Sequence, residues 1–240
     1  MGFYSLKKNS IKKKDKPIGF KFTDLNKTNM KKTIAFLYAI LFLSSCGIAK
    51  FHSGYYDINL SKVENPKNKS DRYGETCIQK VGTDKDIKYQ FVDDNIDISW
   101  AIGNTKFRFN LKNKTDHSIK IIWDDAIFID TDGSSNRVMH AGIKYTEKEN
   151  PQTPSVVARG SFLDDMVLPT KNVYLETNPY IYGWKEKYYL PIINQDKDVL
   201  LSQAQSSIGK KIKIILPIQI EDVINDYTFE FDISAFNPID

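Results

Sequence analysis

From Tyr55 onward the chain alternates apolar and polar residues over short runs, the period of half-buried strands, because successive side chains point to opposite faces. Ile96, Ile98, Trp100 and Ile102 alternate with Asp97, Ser99 and Ala101, and Phe107, Phe109 and Leu111 alternate with Arg108 and Asn110. Gly103-Asn104-Thr105 supplies turn chemistry between them, so the two runs predict a hairpin. Asn113-Lys114-Thr115-Asp116 breaks the pattern. Residues 119–123 and 126–129 predict short strands, and residues 137–143 one that pairs back after the turn Asp132-Gly133-Ser134-Ser135. Residues 156–167 offer one or two strands interrupted at Gly160 and stopped at Pro169, and residues 173–177 a weaker one. Residues 198–208 space their apolar side chains as a helix does, with Asp198 as N-cap and Gly209 as stop. Beyond it, Ile212, Ile214, Leu216, Ile218 and Ile220, then Tyr227, Phe229, Phe231 and Ile233, predict two long antiparallel strands that close the fold. So many one-sided apolar faces are buried together in an antiparallel sandwich or barrel, here expected as one domain over residues 55–240.

The first 45 residues read differently. Lys31 and Lys32 precede an apolar run, Ile34 to Leu43, which ends in Ser44-Ser45-Cys46-Gly47. A positive stretch, a short apolar stretch and small residues in that order make a secretory signal peptide, here residues 30–45. The apolar run falls short of the roughly 20 residues a helix needs to cross a hydrocarbon core. Leu43-Ser44-Ser45-Cys46 resembles the lipobox of bacterial lipoproteins. That resemblance implies cleavage after Ser45, a diacylglyceryl group on Cys46 and a membrane as partner through that lipid. An ordinary signal peptide that happens to end in cysteine is the plainer alternative. Residues 1–29 are Lys- and Asn-rich with scattered apolar residues and are read as an upstream extension, Met30 being the expected start. Residues 46–54 are expected as a tether.

Together with the lipobox, the run from Phe107 to Thr115 with its Asn-Lys-Thr ending and the run from Lys211 to Phe231 resemble small uncharacterised lipoproteins of Gram-negative bacteria. The resemblance implies an all-β fold, an antiparallel immunoglobulin-like β-sandwich with one short helix near residues 198–208, and no known activity. Gly47 after the cysteine leaves out the acidic second residue associated with inner-membrane retention in some lipoproteins, which tilts the expected address to the outer membrane.

Charge changes the list of partners. The whole chain carries +4, but ten of its 34 Lys and Arg and two of its 30 Asp and Glu lie in residues 1–45. The remainder holds 24 basic against 28 acidic residues, a net of −4, which removes the main support for a nucleic-acid partner.

Candidates for chemistry are sparse. His52, His117 and His140 have no His or Cys at ligand spacing, so no metal or other cofactor is expected. Asp93-Asp94, Asp124-Asp125 and Asp164-Asp165 are acidic pairs of the kind that cleave glycosides when the fold brings two carboxylates together, but neighbours on a strand face opposite ways. Asp130 to Asn136 partly matches a calcium loop, lacking the third acidic ligand before glycine and the distal Glu, and reads better as a turn. Cys77, left without a disulfide partner once Cys46 is acylated, is expected to be buried and inert in a strand. No phosphate loop, serine elbow or zinc helix is present, so no catalytic residue is assigned.

The densest aromatic stretch holds Tyr180, Tyr182, Trp184, Tyr188 and Tyr189. The first four are the candidate binding residues, since Tyr and Trp present flat apolar faces with polar tips to a glycan or a protein. The plainer reading, and the preferred one, is a hairpin whose rings fill the sandwich edge. The expectation is a non-enzymatic, membrane-anchored module of the cell envelope; the alternatives are an envelope hydrolase acting on polysaccharide or peptide through an acidic pair, and an assembly or protective factor.

Overall fold

The computed structural model describes residues 50–64, 76–83 and 87–239. The expected extension and signal peptide, the cleavage residues Leu43, Ser44 and Ser45, and Cys46 lie outside the described residues. In chain order the strands are β1 (His52–Glu64), β2 (Cys77–Val81), β3 (Lys88–Val92), β4 (Ile96–Ile102), β5 (Phe107–Asn113), β6 (Ile119–Ile121), β7 (Ile127–Ile129) and β8 (Ser135–Met139). There follow β9 (Ser155–Val157), β10 (Phe162–Pro169), β11 (Val173–Glu176), β12 (Gly183–Glu186), β13 (Ile193–Asn194), the helix α1 (Lys197–Ser207), β14 (Lys211–Ile220) and β15 (Val223–Ile239).

The all-β antiparallel class read from the alternation is the class the chain adopts, with one short helix. Thirteen strands form one hydrogen-bonded sheet in the order β13-β1-β15-β14-β7-β8-β10-β5-β4-β3-β2, β6 and β9 branching from β14, and β11 pairs with β12 as a separate two-stranded sheet. The sheet curls so that its two halves face each other. Trp100 of β4 lies 5.0 Å from Phe229 and 5.6 Å from Phe231 of β15, and Phe107 of β5 lies 6.0 Å from Phe128 of β7. One continuous path through the β8–β10 pairing, Leu168 opposite Met139, joins the halves. The immunoglobulin-like strand arrangement is a finer statement than this topology makes.

The period of two explains which faces meet. Ile96, Ile98 and Trp100 are buried, as are Ile212, Ile214, Leu216 and Ile218 and their counterparts Tyr227, Phe229, Phe231 and Ile233, so two rows of large side chains close over one core. Full burial of such side chains is worth roughly 1.5–3 kcal/mol each. Pro217 sits inside β14 without breaking it. Its carbonyl accepts from Ile122 N at 2.9 Å, so its missing N–H faces the gap between β6 and β7, which the turn Trp123–Asp125 fills.

The predicted hairpin is β4–β5, with Ile102 opposite Phe107 and Gly103 N donating to Lys106 O at 3.0 Å. Several local expectations are corrected. The first strand starts at His52, inside the stretch expected as tether, and Gly54 is buried in it where the Phe236 ring and Asn237 O leave no room for a Cβ. The helix N-cap is Asp196, whose carboxylate accepts from Asp198 N and Val199 N; an acidic side chain two residues earlier satisfies the first free amides, which Asp198 inside the helix cannot do. The strand expected over residues 137–143 starts at Ser135 and ends at Met139, and a turn closed by Ile143 N to His140 O, with Gly142 at a positive φ, follows it. Cys77 is exposed, since it opens β2, the last strand of the sheet path.

Candidate functional site

The aromatic stretch forms the β11–β12 hairpin and the segment after it. Tyr174 pairs with Lys185 and Leu175 with Trp184, so ring and aliphatic side chains line both faces of this small sheet. The connecting turn is held by its own hydrogen bonds. Asn178 N donates to the Glu176 carboxylate at 2.9 Å, Tyr180 N to Asn178 Oδ1 at 3.1 Å, and Ile181 N to Asn178 O at 3.0 Å. An Asn that closes a turn with its own side chain fixes what the turn displays. Here that is Tyr180, 94% exposed, and Tyr182, 67% exposed. These rings stand in solvent and do not fill the sandwich edge, which corrects the preferred reading of the sequence. That edge is filled by Tyr189, whose ring packs 5.3 Å from Phe107 and whose hydroxyl donates to Gly103 O; burial pushes its pKa up.

Trp184 and Tyr188 are partly exposed. Trp184 meets Tyr145 edge-on at 6.2 Å, and Tyr188 borders a cleft of about 570 Å³ with Lys171, Asn172, Lys187 and Gln203.

Glu186 ties the hairpin to the body. Its carboxylate accepts from Thr105 Oγ1 at 2.6 Å, from Lys106 Nζ at 2.5 Å and from the Tyr145 hydroxyl. Partial burial disfavours the charge, but the three donors outweigh it and hold the carboxyl below its ordinary value. The Tyr145 hydroxyl is pushed up to about 12 by burial and by its bond to Glu186. Lys187 N also donates to Asn172 O at 2.7 Å, a backbone tie at the same end. The sequence carries one signal for this anchor, a lone acidic residue inside an aromatic and basic run.

The other candidates are dispersed into structural work. Asp93 is buried, accepting from Asn95 N, Ile96 N and the Tyr227 hydroxyl at 2.7–2.9 Å, while Asp94 is exposed. Asp124 binds Arg137 and Gln152 N, while Asp125 is exposed. Asp164 takes a bond from Asn110 on the outer face, and Asp165 turns inward to Ala141 N and Met166 N at 2.8 Å. Asp165 also meets His140 Nδ1 at 3.2 Å, and the imidazole stacks on Trp123 at 4.4 Å; strands 25 residues apart bring them together, which no local pattern announces. His117 pairs with its neighbour Asp116 at the surface. Asp130 to Ser134 is a turn, closed by Gly133 N to Asp130 O and Asp130 N to Ser134 O. Among the described residues no three His, Cys, Asp or Glu side chains are grouped to hold a metal ion.

No protein-family model and no curated protein matches this chain. Among solved structures, the X-ray structure of Northeast Structural Genomics Consortium target SoR45 is similar over 76% of this chain and 85% of that chain, at 10% identity and a TM-score of 0.21. That score is too low to relate the two folds.

Proposed function

We propose that this chain is a lipid-anchored, non-enzymatic binding module of a bacterial cell envelope, held by Cys46 at the outer membrane, and that the β11–β12 hairpin engages an envelope protein. The lipobox-like Leu43-Ser44-Ser45-Cys46 supports the anchor. The binding reading is carried by one observation, two tyrosines presented to solvent on a turn that is itself hydrogen-bonded and tied to the body through Glu186. Rings displayed on a rigid support lose little entropy when they are buried by a partner, and Tyr and Trp dominate binding hot spots. The two rings sit on the turn of a two-stranded hairpin and are largely exposed, which favours insertion into a groove on a protein over the flat stacking a sugar needs. A hydrolase working through an acidic pair finds less support, because Asp93, Asp124, Asp164 and Asp165 are each engaged in hydrogen bonds within the fold.

The test places a photo-crosslinking amino acid at Tyr180 or Tyr182 in growing cells, with Phe162, exposed on the body, as control position. A discrete protein adduct from the hairpin positions, absent from Phe162 and lost with Trp184→Ala, is the expected result. Equal labelling at all three positions would overturn the proposal, and adducts of sugar mass would transfer the site to a glycan.

A further inference from the structure

Four large apolar side chains stand in solvent where the chain enters the body. Ser53 of β1 has Ile193 of β13 as its Cα partner on one side and Ile239 of β15 on the other. Directly opposed residues share a face, so the two isoleucines flank Ser53 on one surface of the sheet. Tyr55, two residues along, shares that face, and Phe51 lies two residues before Ser53, just ahead of β1. Phe51 is 56% exposed, Tyr55 51%, Ile193 45% and Ile239 56%. Asp57, exposed and bonded to Asn237, marks where polar surface resumes. Apolar side chains grouped in this way mark an interaction surface.

We infer that this face, Phe51, Tyr55, Ile193 and Ile239, seats the body on the surface of the lipid bilayer. The inference rests on the lipid-anchor reading. Five peptide steps join Cys46 to Phe51, and a fully extended chain of that length reaches at most about 18 Å. An acylated Cys46 therefore holds Phe51 close to the headgroups. Lys50, exposed beside Phe51, suits the anionic side of that layer, and aromatic rings with a polar tip suit the interface. Such a seat would orient the body on its membrane, which a flexible tether alone does not do.

The experiment uses the full lipidated protein in vesicles of phosphatidylethanolamine and phosphatidylglycerol, three to one, doped with a diazirine phospholipid, and maps lipid adducts by peptide mass. Labelling of the peptides holding Phe51–Tyr55, Ile193 and Ile239 should exceed that of peptides holding the more exposed Val156 and Phe162 by about tenfold. Uniform labelling, or labelling concentrated on residues 178–188, overturns the inference, as does protection of the face by a second copy. Intact mass and flotation report separately on the anchor. Should Cys46 prove unacylated, its thiol is coupled to a maleimide phospholipid in a Cys77→Ser background and the same map is read.

Discussion

Trp100 and Trp184 belong to two aromatic regions built from similar residues and treated in opposite ways. Around Trp100, rings from β5 and β15 approach from both halves of the curled sheet, with Phe109 at 5.1 Å, Phe229 at 5.0 Å and Phe231 at 5.6 Å. Around Trp184, Tyr145 meets the ring edge-on at 6.2 Å and the residue stays 37% exposed. The core rings lie on strands whose opposite faces carry Asp, Ser, Arg or Thr, so a single direction is inward. The hairpin has ring or aliphatic side chains on both faces of only two strands, and a two-stranded sheet is marginal by itself. It persists because polar ties fix it to the body. Aromatic content therefore says little about burial until one knows whether a second sheet faces the rings.

The comparison is broken most severely at its buried end. Trp100→Ala empties the centre of the core and should cost about 3–5 kcal/mol, read as a lower urea midpoint with an unchanged slope. Trp184→Ala should cost far less in the same titration. A comparable loss in both variants would mean that the hairpin is part of the core. Next in size, Gly54→Ala puts a Cβ 2.3 Å from Phe236 Cζ and 2.7 Å from the carbonyl oxygen of Asn237. A ring tip can swing aside but a paired backbone cannot, so the substitution should cost about 1–3 kcal/mol. Pairing it with Phe236→Ala should recover only part of that loss.

The strands of the core were legible because each needs only one property, alternation, which β4 and β5 carry throughout and β14 and β15 over most of their length. What escaped were features settled by distant partners. The exposure of Cys77 depends on β2 ending the sheet path, and the His140–Asp165 contact depends on distant segments meeting. The aromatic stretch was legible as a candidate, but its exposure was not, since the anchoring donors Thr105, Lys106 and Tyr145 lie 41 to 81 residues away from Glu186.

That anchor sets the third perturbation. Glu186→Gln keeps the shape but weakens the bonds from Lys106, Thr105 and Tyr145, for an expected cost of about 1 kcal/mol. Its pH dependence has a definite sign. Glu186 titrates below its ordinary value of 4.5 in the folded state, so its contribution is complete above that value and is lost as the pH falls through the lower folded value. Acrylamide quenching of Trp184, the exposed one of the three tryptophans, should rise in that acid window in the parent chain and stay flat in the Gln variant. Quenching that rises equally in both would assign the acid sensitivity to another group.

The smallest stability effect belongs to the residues that matter most for the proposed binding. Tyr180→Ala and Tyr182→Ala remove rings that are mostly in water, so each should change stability by no more than about 0.5 kcal/mol, within the range of ordinary surface positions. Rings with no stabilising role in the free protein gain from burial only when a partner covers them, and the two variants should therefore lose cross-linking while keeping the parental urea midpoint. If either variant instead lowered the midpoint by as much as Gly54→Ala, the tip would be packing against the protein's own body. The contrast between buried and displayed rings would then collapse, and with it the reason to treat the hairpin as a binding surface.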